Sequence, residues 1–385
     1  MKYNFDEIVN RRGTHSVKWD EAAEGVIPLW VADMDFKAAP AILEVVRKRA
    51  EHGVYGYTVV EEDYYLAIIN WFQRRHDWHI RRGEILYTTG VVPAMSVAIK
   101  ALTMPGEKVL ILSPDYNCFF SSVRNNGCEV LESVLKRKGN TFEVDWEDFE
   151  AKCADEKTTV FLLCNPHNPT GRVWTKTELM QMNDICMKYG VKVISDEIHC
   201  ELIMPGYKFH PFAAVSDQCR KNSVILNSPS KSFNIAGLQA ANIICSQTEW
   251  RRRLDRAINI NEVCDLNPFG PVALIAAYNE SEDWIDELNQ YLWGNYQALC
   301  EFVEKELPLL RVCKLEGTYL PWVDVSALGV SSQHLCDRIM SEAKVWVNPG
   351  TMYGAQSGEG YIRINIACPR SLLLEALKRI KNVLI

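Results

Sequence analysis

The sequence has no long apolar run, no block of basic residues and no regular arrangement of cysteines. None of its apolar stretches approaches the roughly 20 residues that cross a bilayer, so we expect no membrane-spanning segment. The net charge is −7, and no Lys/Arg cluster offsets it, which disfavours nucleic acid as a partner. What remains is typical of a soluble globular protein.

The cysteines and the N-terminus indicate a cellular compartment. The 13 cysteines are odd in number and scattered, and no two form a Cys-x-x-Cys pair. This spread is typical of reduced thiols rather than a disulfide framework. Residues 1–7 lack the apolar core of a signal peptide, so we expect a cytoplasmic protein. His76 and His79 are three positions apart, but no Cys or carboxylate completes a ligand set, and we predict no metal site.

Strand-like and helix-like runs alternate between residues 84 and 246. Short apolar runs that predict strands cover residues 84–87, 108–112, 159–163, 191–195, 224–226 and 242–244. This alternation predicts an α/β fold with a mostly parallel central sheet flanked by helices. A chain of 385 residues is too long for one ordinary core. We therefore predict a large domain over residues 46–285.

A smaller α+β domain is predicted from residues 1–45 and 286–385. Helical patterns dominate residues 268–307, and residues 282–307 could form one long helix. Strand candidates follow at residues 318–323, 344–347 and 361–366, before a terminal helix over 372–383. The first 45 residues are irregular and then helical from Pro40, and we expect them to pack with the C-terminal unit.

Several chemically informative residues closely follow predicted strands. Gly90, residues 165–168, Asp196 and Lys231 each occupy such a position. Ligands of parallel sheets bind beyond the carboxyl ends of the strands. The sequence therefore predicts one binding site along this edge of the sheet.

Lys231 is the central residue of this predicted site. Ser228 and Ser230 precede it within three positions. A lysine amine can form a Schiff base with a carbonyl cofactor, and neighbouring hydroxyls can hold a phosphate. Backbone N–H groups at the start of the helix after Gly90 could bind the same phosphate.

Two further residues could contact a heterocyclic cofactor. Asn168 lies between two prolines in an Asn-Pro-type turn, and its amide can donate to a phenolate oxygen without adding charge. Asp196 ends a strand, where its carboxylate could pair with a pyridinium nitrogen. An ordinary turn and a helix cap are the respective alternatives.

The remaining candidates have open alternatives. Tyr116 could stack on a flat ring, or simply be a half-buried tyrosine at a helix start. Arg363 lies among apolar residues of a predicted strand, where it could capture a carboxylate with its planar fork or form an internal salt bridge. For His199 we favour packing or an orienting role over proton shuttling.

Taken together, these residues resemble a known family. Residues 165–171, 195–196 and 228–231 resemble the motifs of fold-type I pyridoxal-phosphate (PLP) enzymes, the aspartate-aminotransferase superfamily. Residues 29–36, 55–57, 89–93, 228–238, 363–365 and 368–370 are similar to its PatB/MalY-type C–S lyase branch, the cystathionine β-lyases. The resemblance covers essentially the whole chain, with the motifs in family order.

The resemblance implies a role for each candidate. Lys231 would carry PLP as a Schiff base, Asp196 would pair with the ring nitrogen, and Asn168 would contact the 3′ oxygen. Tyr116 would stack on the ring, and Arg363 would hold the substrate α-carboxylate. The phosphate would be bound by the following groups: the backbone of Gly90, Val91 and Val92, the hydroxyls of Ser228 and Ser230, and Tyr57 from the second subunit of a homodimer.

One position departs from the family pattern. Many aminotransferases carry an arginine eight positions after the lysine, and here that position is Gln239. This agrees with the lyase branch and leaves the phosphate to neutral donors. The resemblance implies α,β-elimination from cystathionine or cysteine-type substrates, which gives a thiol, pyruvate and ammonia. We expect selectivity to come from residues 30–36 and 353–360. An aminotransferase, or a regulatory binding protein that retains PLP, are the alternatives.

Overall fold

The computed structural model describes residues 1–262 and 264–384. Its α-helices are Val17–Asp20, Pro40–Glu51, Glu62–His76, Val91–Leu102, Asn117–Asn125, Trp146–Cys153, Lys176–Lys188, Phe212–Val215, Asp217–Lys221, Thr248–Ile260, Gly270–Glu280, Glu282–Glu306, Ser332–Arg338 and Arg370–Leu384. No helix within the described ranges has the length and apolar character needed to cross a bilayer.

A seven-stranded sheet forms the centre of the larger part of the molecule. Its strands in chain order are β1 (Ile85–Thr88), β2 (Lys108–Ser113), β3 (Glu129–Val134), β4 (Thr158–Cys164), β5 (Lys192–Asp196), β6 (Ser223–Asn227) and β7 (Ala241–Cys245). Their spatial order is β1-β7-β6-β5-β4-β2-β3. β3, β2, β4, β5 and β6 run parallel, whereas β7 is antiparallel to both of its neighbours.

The central strands are apolar because helices cover both faces of the sheet. In β4, residues 160–164 are all buried, and every residue of β6 and β7 is buried. The helix Val91–Leu102 contributes eight buried residues to the core on one face. The predicted fold class, a mostly parallel sheet flanked by helices, is thus confirmed.

A smaller four-stranded antiparallel sheet lies in the C-terminal part. Its strands in chain order are β8 (Arg311–Val312), β9 (Trp322–Asp324), β10 (Asn348–Pro349) and β11 (Tyr361–Arg363), with the spatial order β8-β9-β11-β10. The N-terminal strand Ile27–Pro28 pairs in parallel with Val345–Trp346. The boundaries that we predict at residues 46 and 285 stay a prediction.

Some strands differ from their predicted bounds. β3 was not predicted, because Glu132 and Ser133 interrupt its apolar residues and most of the strand is only partly buried, as expected of an edge strand. β9 covers residues 322–324 rather than 318–323, since residues 317–321 approach the Lys231 region as irregular backbone. β11 ends at Arg363, so this arginine ends its strand instead of lying within it.

Candidate active site

The carboxyl ends of the parallel strands surround a cavity of about 280 Å³. Of the residues singled out in the sequence, the following line it: Gly90, Val91, Val92, Tyr116, Asn168, Asp196, His199, Ser230, Lys231 and Gln239. These side chains come from five different strand ends, so the fold brings together positions that are up to 149 residues apart. Ser228, Arg363 and Tyr57 lie outside the lining.

Asp196 is the last residue of β5 and is almost fully buried. Its Oδ1 accepts a hydrogen bond from the Ile198 backbone N–H at 3.1 Å, at the start of a turn over residues 198–201. No helix of the described chain begins there, so the helix-cap alternative does not hold. Burial raises the pKa of Asp196 to about 7, the Asp115 carboxylate adds to the rise, and the Lys231 charge opposes it. A cationic partner in the cavity would stabilise its ionised form.

Lys231 lies in the tight turn after β6. Phe233 N–H donates to Pro229 O at 2.9 Å, and Ile235 N–H donates to Ser230 O at 3.0 Å, which fixes the backbone around the lysine. The Lys231 Nζ donates to Ala32 O at 2.6 Å. Burial lowers the pKa of Lys231, and the Arg363 charge lowers it further. A lysine with a lowered pKa offers more of the neutral amine that attacks a carbonyl.

The start of the helix Val91–Leu102 forms a cradle at one side of the cavity. Its first internal hydrogen bond runs from Ala94 N–H to Gly90 O, so the N–H groups of Val91 and Val92 have no partner within the helix. If residue 90 had a side chain, its Cβ atom would lie 3.4 Å from Cδ of Pro93, in van der Waals contact. Free N–H groups and the helix dipole both favour an anion such as phosphate here.

The two serines of the lysine turn differ in their surroundings. The Ser228 hydroxyl donates to Ala240 O at 2.6 Å and accepts from Ser230 N–H at 3.0 Å. Its proton is therefore directed at the protein, and the contact joins the end of β6 to the start of β7. Ser230 lines the cavity. The phosphate contact that we predict for Ser228 stays a prediction.

Arg363 and Asn168 form a buried pair beside the cavity. Arg363 Nη1 donates to Asn168 Oδ1 at 3.1 Å, and Nη2 donates to Trp30 O at 2.8 Å. The guanidinium lies over the Tyr353 ring at 4.6 Å. Among the described residues no carboxylate forms an ion pair with Arg363, and its Nε is buried without a partner. An incompletely satisfied buried arginine is costly in isolation, which favours an anionic ligand over the internal salt bridge.

Residues 30–36, which we call the strap, pass directly over Lys231. Side chains from other parts of the chain hold the strap by donating hydrogen bonds to its backbone carbonyls. Asn365 Nδ2 donates to the carbonyls of residues 31 and 33 at 2.6 and 2.7 Å. Asn234 Nδ2 donates to those of residues 34 and 36 at 3.0 and 2.8 Å. Tyr319 OH donates at 3.0 Å to Ala32 O, the same atom that accepts from Lys231.

A buried ion cluster anchors the strap to the N-terminal segment. Lys18 is fully buried, and its Nζ lies 2.9 Å from Asp35 Oδ2. Arg11 pairs with Asp35 at 2.8 Å and with Asp33 at 2.7 Å. Trp19 Nε1 donates to Asp35 Oδ1 at 2.7 Å. Breaking such a network would leave buried charges without partners, so the cluster fixes the path of the strap.

Asp115 positions two aromatic residues of the site, a role that was not predicted. Its backbone N–H donates to Tyr353 O at 2.7 Å, and its Oδ1 accepts from Tyr116 N–H at 2.7 Å. Burial raises the pKa of Asp115. His167 lies behind it, with Nε2 3.8 Å from Asp115 Oδ2. The neighbouring Tyr116 was singled out from the sequence, but no residue type there indicated the contact between Asp115 and Tyr353.

Tyr57 is separate from this cavity. Its side chain is 100% exposed, and it lies in an irregular segment where Tyr55 and Val59 are also exposed.

Gln239, which stands where many aminotransferases have an arginine, lines the cavity, and its backbone φ of 52° lies in the left-handed region. Within residues 1–262 and 264–384, no cluster of metal-ligating side chains is present.

The residues around the cavity fit PLP. Asp196 offers a buried carboxylate whose pKa is raised, and Lys231 offers an amine of lowered pKa. The helix start at Val91 offers N–H groups for a phosphate. Asn168 uses Oδ1 for Arg363, which leaves its Nδ2 to donate to an oxygen of a ligand. These four groups complement the nitrogen, aldehyde, phosphate and phenolate of one cofactor.

Comparison with known proteins agrees with this fit. The model of the family "Aminotransferase class I and II" matches residues 24–380. The chain is 41% identical to cystathionine beta-lyase PatB of Bacillus subtilis, over 99% of this chain and 100% of that protein. It is 32% identical to protein MalY of Escherichia coli, over 99% of both chains. It superposes with a TM-score of 0.96 on cystalysin from Treponema denticola, which contains pyridoxal 5'-phosphate, at 34% identity over 100% of this chain and 99% of that one.

Proposed function

This chain belongs to the class I and II aminotransferase family, and we propose that it is a PLP-dependent carbon–sulfur β-lyase. The reaction converts a cysteine thioether and water to a thiol, pyruvate and ammonium. The observation that carries this proposal is the 41% identity to the Bacillus lyase over 99% of this chain. Most residues of the predicted cofactor set also line one cavity. The residues that would hold PLP are Lys231, Asp196, Asn168, Tyr116, Ser230 and the helix start at Gly90–Val92.

Asp196 and Asn168 define how the cofactor lies. When bound, PLP supplies an electron-withdrawing ring that stabilises negative charge at the substrate Cα. The Asp196 carboxylate would pair with the ring nitrogen and favour its protonated form. The amide of Asn168 would donate to the ring oxygen. Tyr116 would stack on the ring and exclude water there.

Arg363 orients the substrate. Its guanidinium is the charged donor next to Asn168, and its buried Nε has no partner in the described chain. A bidentate contact with the α-carboxylate would satisfy it. This contact would also hold the substrate Cα next to Lys231, which removes much of the entropic barrier to proton transfer.

Lys231 moves the proton. Once its amine is free, Nζ can accept the Cα proton of the substrate, and the strap carbonyl of Ala32 is the acceptor that holds Nζ in place. Burial and the Arg363 charge keep the pKa of Lys231 below its usual value, so the amine is available as a base. The same nitrogen can later return the proton to the departing thiolate.

We propose that the enzyme is a cytoplasmic homodimer with shared sites. The support is the exposed segment around Tyr57, in which aromatic and apolar side chains at positions 54, 55, 57 and 59 are 54–100% exposed. Such a patch is typical of a covered interface. A phosphate contact from the partner subunit's Tyr57 would make each site depend on two chains.

A pyruvate-release assay tests the proposal. Purified holoenzyme is incubated with cystathionine or cysteine in the absence of any 2-oxo acid. Sustained pyruvate release, with many turnovers per site, is expected of a β-lyase. Turnover that requires an added 2-oxo acid would identify a transaminase instead. A panel of cystathionine, cystine, cysteine, methionine and S-alkyl cysteines in the same assay defines the preferred leaving group.

A further inference from the structure

Tyr319 is a fully buried tyrosine that meets Lys231 at the strap. The Tyr319 hydroxyl donates to Ala32 O at 3.0 Å, and Lys231 Nζ donates to the same oxygen at 2.6 Å. The Tyr319 ring also packs edge to face against His199, with the ring centroids 6.1 Å apart. The phenol therefore touches the acceptor of the proposed base, although the proposed mechanism gives it no part.

The backbone that precedes Tyr319 is strained. Thr318 has a φ of 70°, in the left-handed region that β-branched residues rarely occupy. Its N–H donates to Leu202 O at 2.7 Å, and Ile366 N–H donates to Tyr319 O at 3.0 Å. Such strain persists only where the surrounding structure over-determines the conformation, and it clusters at functional sites. These two bonds supply the constraint, so the fold maintains the direction of the Tyr319 hydroxyl at a local cost.

The Tyr319 hydroxyl is a donor at this position. Burial raises the pKa of Tyr319, so the hydroxyl keeps its proton. A carbonyl oxygen has two lone pairs, and within the described chain Tyr319 and Lys231 are the two donors to Ala32 O. Both draw electron density from the same oxygen, so each weakens that oxygen as a partner of the other. The neighbouring strap carbonyls are held by Asn365 and Asn234 instead, so the path of the strap is fixed without Tyr319.

Charged groups surround Lys231 but do not share its acceptor. Burial is the largest influence on the pKa of Lys231 and lowers it. The charged and titratable groups that face Lys231 are Asp33 of the strap, Asp196 and His199 at the end of β5, Tyr116 and Cys118 at the helix Asn117–Asn125, and Arg363 at the end of β11. They act on the amine through space, whereas Tyr319 acts on the atom that the amine touches.

We propose that Tyr319 is a positioning residue for Lys231: its hydroxyl directs the strap carbonyl that receives the freed amine and weakens that carbonyl as a partner of the ammonium form. This inference deepens the proposed function and rests on it. Nζ accepts the Cα proton of the substrate and later gives it to the departing thiolate, while Tyr319 keeps its own proton throughout. A weaker acceptor stabilises the ammonium less, so the base form of Lys231 persists to lower pH.

The test measures exchange of the Cα proton of L-alanine in deuterated water by holoenzymes of wild type and Tyr319→Phe, followed by NMR. Alanine has no sulfur leaving group, so exchange reports the lysine step without elimination. The pH dependence of kcat reports the groups that titrate in the substrate complex. Tyr319→Phe should raise the midpoint of the acid limb by about 0.5–1 pH unit, a roughly three- to tenfold loss of rate below that midpoint, with KM within about twofold of wild type.

Tyr296→Phe is the matched control. Tyr296 OH also donates to a backbone carbonyl, Cys313 O at 3.1 Å, but Tyr296 does not line the cavity. This variant should leave the midpoint and KM unchanged. Two results with Tyr319→Phe would overturn the proposal. One is a midpoint within about 0.2 pH unit of wild type, since a lost competing donor should move it further. The other is a raised KM with an unchanged pH profile of kcat, which would limit Tyr319 to shaping the substrate site.

A near-isosteric change keeps the proposal testable if Tyr319→Phe does not fold. Incorporation of 3-fluorotyrosine at position 319 preserves the packing and gives a stronger donor, because fluorine makes the phenol more acidic. The midpoint must then move to lower pH, and an unchanged or higher midpoint overturns the proposal. Failure of the proposed function gives different signs. A wild-type protein with neither a visible band nor exchange refutes the cofactor site, whereas exchange without pyruvate release from cystathionine or cysteine refutes the lyase alone.

Discussion

Arg363 donates a hydrogen bond from Nη1 to Oδ1 of Asn168 at 3.1 Å, across 195 positions of sequence. Because Oδ1 accepts from a cation, the amide nitrogen of Asn168 is fixed as the group that faces the cavity. The same contact holds one arm of the guanidinium, whose Nε is buried without a partner in the described chain. One hydrogen bond therefore orients both the proposed cofactor contact and the proposed substrate contact.

Arg363→Lys should impair substrate use and leave the cofactor bound. Lysine keeps the charge but lacks the planar fork, and the loss of a charged hydrogen bond of about 3 kcal/mol corresponds to a roughly 100-fold fall in kcat/KM. Steady-state kinetics and the visible spectrum measure the two effects. Arg370→Lys is the matched control, since Arg370 bonds to Asn295 outside the cavity. Loss of PLP with retained amino-acid binding would show that Arg363 serves the cofactor.

Lys231→Ala should abolish both turnover and the yellow colour of the protein. The amine that binds the cofactor and moves the proton is absent in this variant. The control is Lys221→Ala, at an exposed lysine. In the wild type, borohydride reduction followed by peptide mass mapping should place the label on Lys231. A label on another lysine, or on none, would contradict the assignment.

The cofactor-free protein should lose stability as the pH rises from about 4 to 7. Burial raises the pKa of Asp196 to about 7, and an acid with a raised folded-state pKa stabilises the fold only while it is protonated. Its contribution is complete below its unfolded-state pKa near 4 and disappears as the pH passes about 7. Urea unfolding of apoprotein at pH 4, 6 and 8 measures this slope.

Asp196→Asn should reduce that slope, because asparagine cannot ionise. At pH 8 the apo variant should be more stable than apo wild type by about 2–4 kcal/mol, and near pH 4 the two should be alike. Turnover of the variant should fall, since the ring nitrogen loses its anionic partner. Asp255→Asn, at an exposed aspartate, controls for charge. An apo variant that is less stable than wild type at pH 8 would contradict this account.

Tyr57→Phe should weaken PLP binding, although Tyr57 is fully exposed in the single chain. The loss of a hydrogen bond to a phosphate corresponds to a roughly tenfold rise in the dissociation constant. The phenyl ring is retained, so the change isolates the hydroxyl. Tyr55→Phe, in the same exposed segment, is the control. Unchanged PLP affinity in Tyr57→Phe would remove Tyr57 from the site.

Subunit mixing tests the shared site directly. Lys231→Ala and Tyr57→Ala chains are refolded together in equal amounts and assayed at a PLP concentration too low to load Tyr57→Ala homodimers. Random pairing gives half heterodimers, each with one intact site, so activity should recover to about a quarter of wild type if the two residues act across the interface. No recovery, while each variant still forms dimers, would indicate that each chain builds its own site.

The sequence predicted best those site residues that directly follow a strand. Asn168, Asp196 and Lys231 each follow an apolar run, and the parallel sheet brings them to one edge, as predicted. The rule works because parallel strands share the direction of their carboxyl ends. Strand β3 was missed because Glu132 and Ser133 interrupt its apolar residues.

Contacts made by backbone atoms could not be predicted. The bond from Asp115 N–H to Tyr353 O, and the bonds that Asn234 and Asn365 make to the strap, join distant segments through groups that every residue carries. No residue type marks a carbonyl that will accept such a bond. Tyr319, which meets Lys231 at the Ala32 carbonyl, gave no signal for the same reason.

The strap also defines where this enzyme can be altered. Because side chains elsewhere in the chain donate hydrogen bonds to its carbonyls, the path of the strap over Lys231 depends little on the identity of Val31, whereas Trp30 stacks on Trp346 with ring centroids 4.3 Å apart. Variation at Val31 would change the side chain next to Ala32 and keep the carbonyl contacts that hold the strap. A directed-evolution library confined to this position would thus explore new leaving groups at low cost in folding.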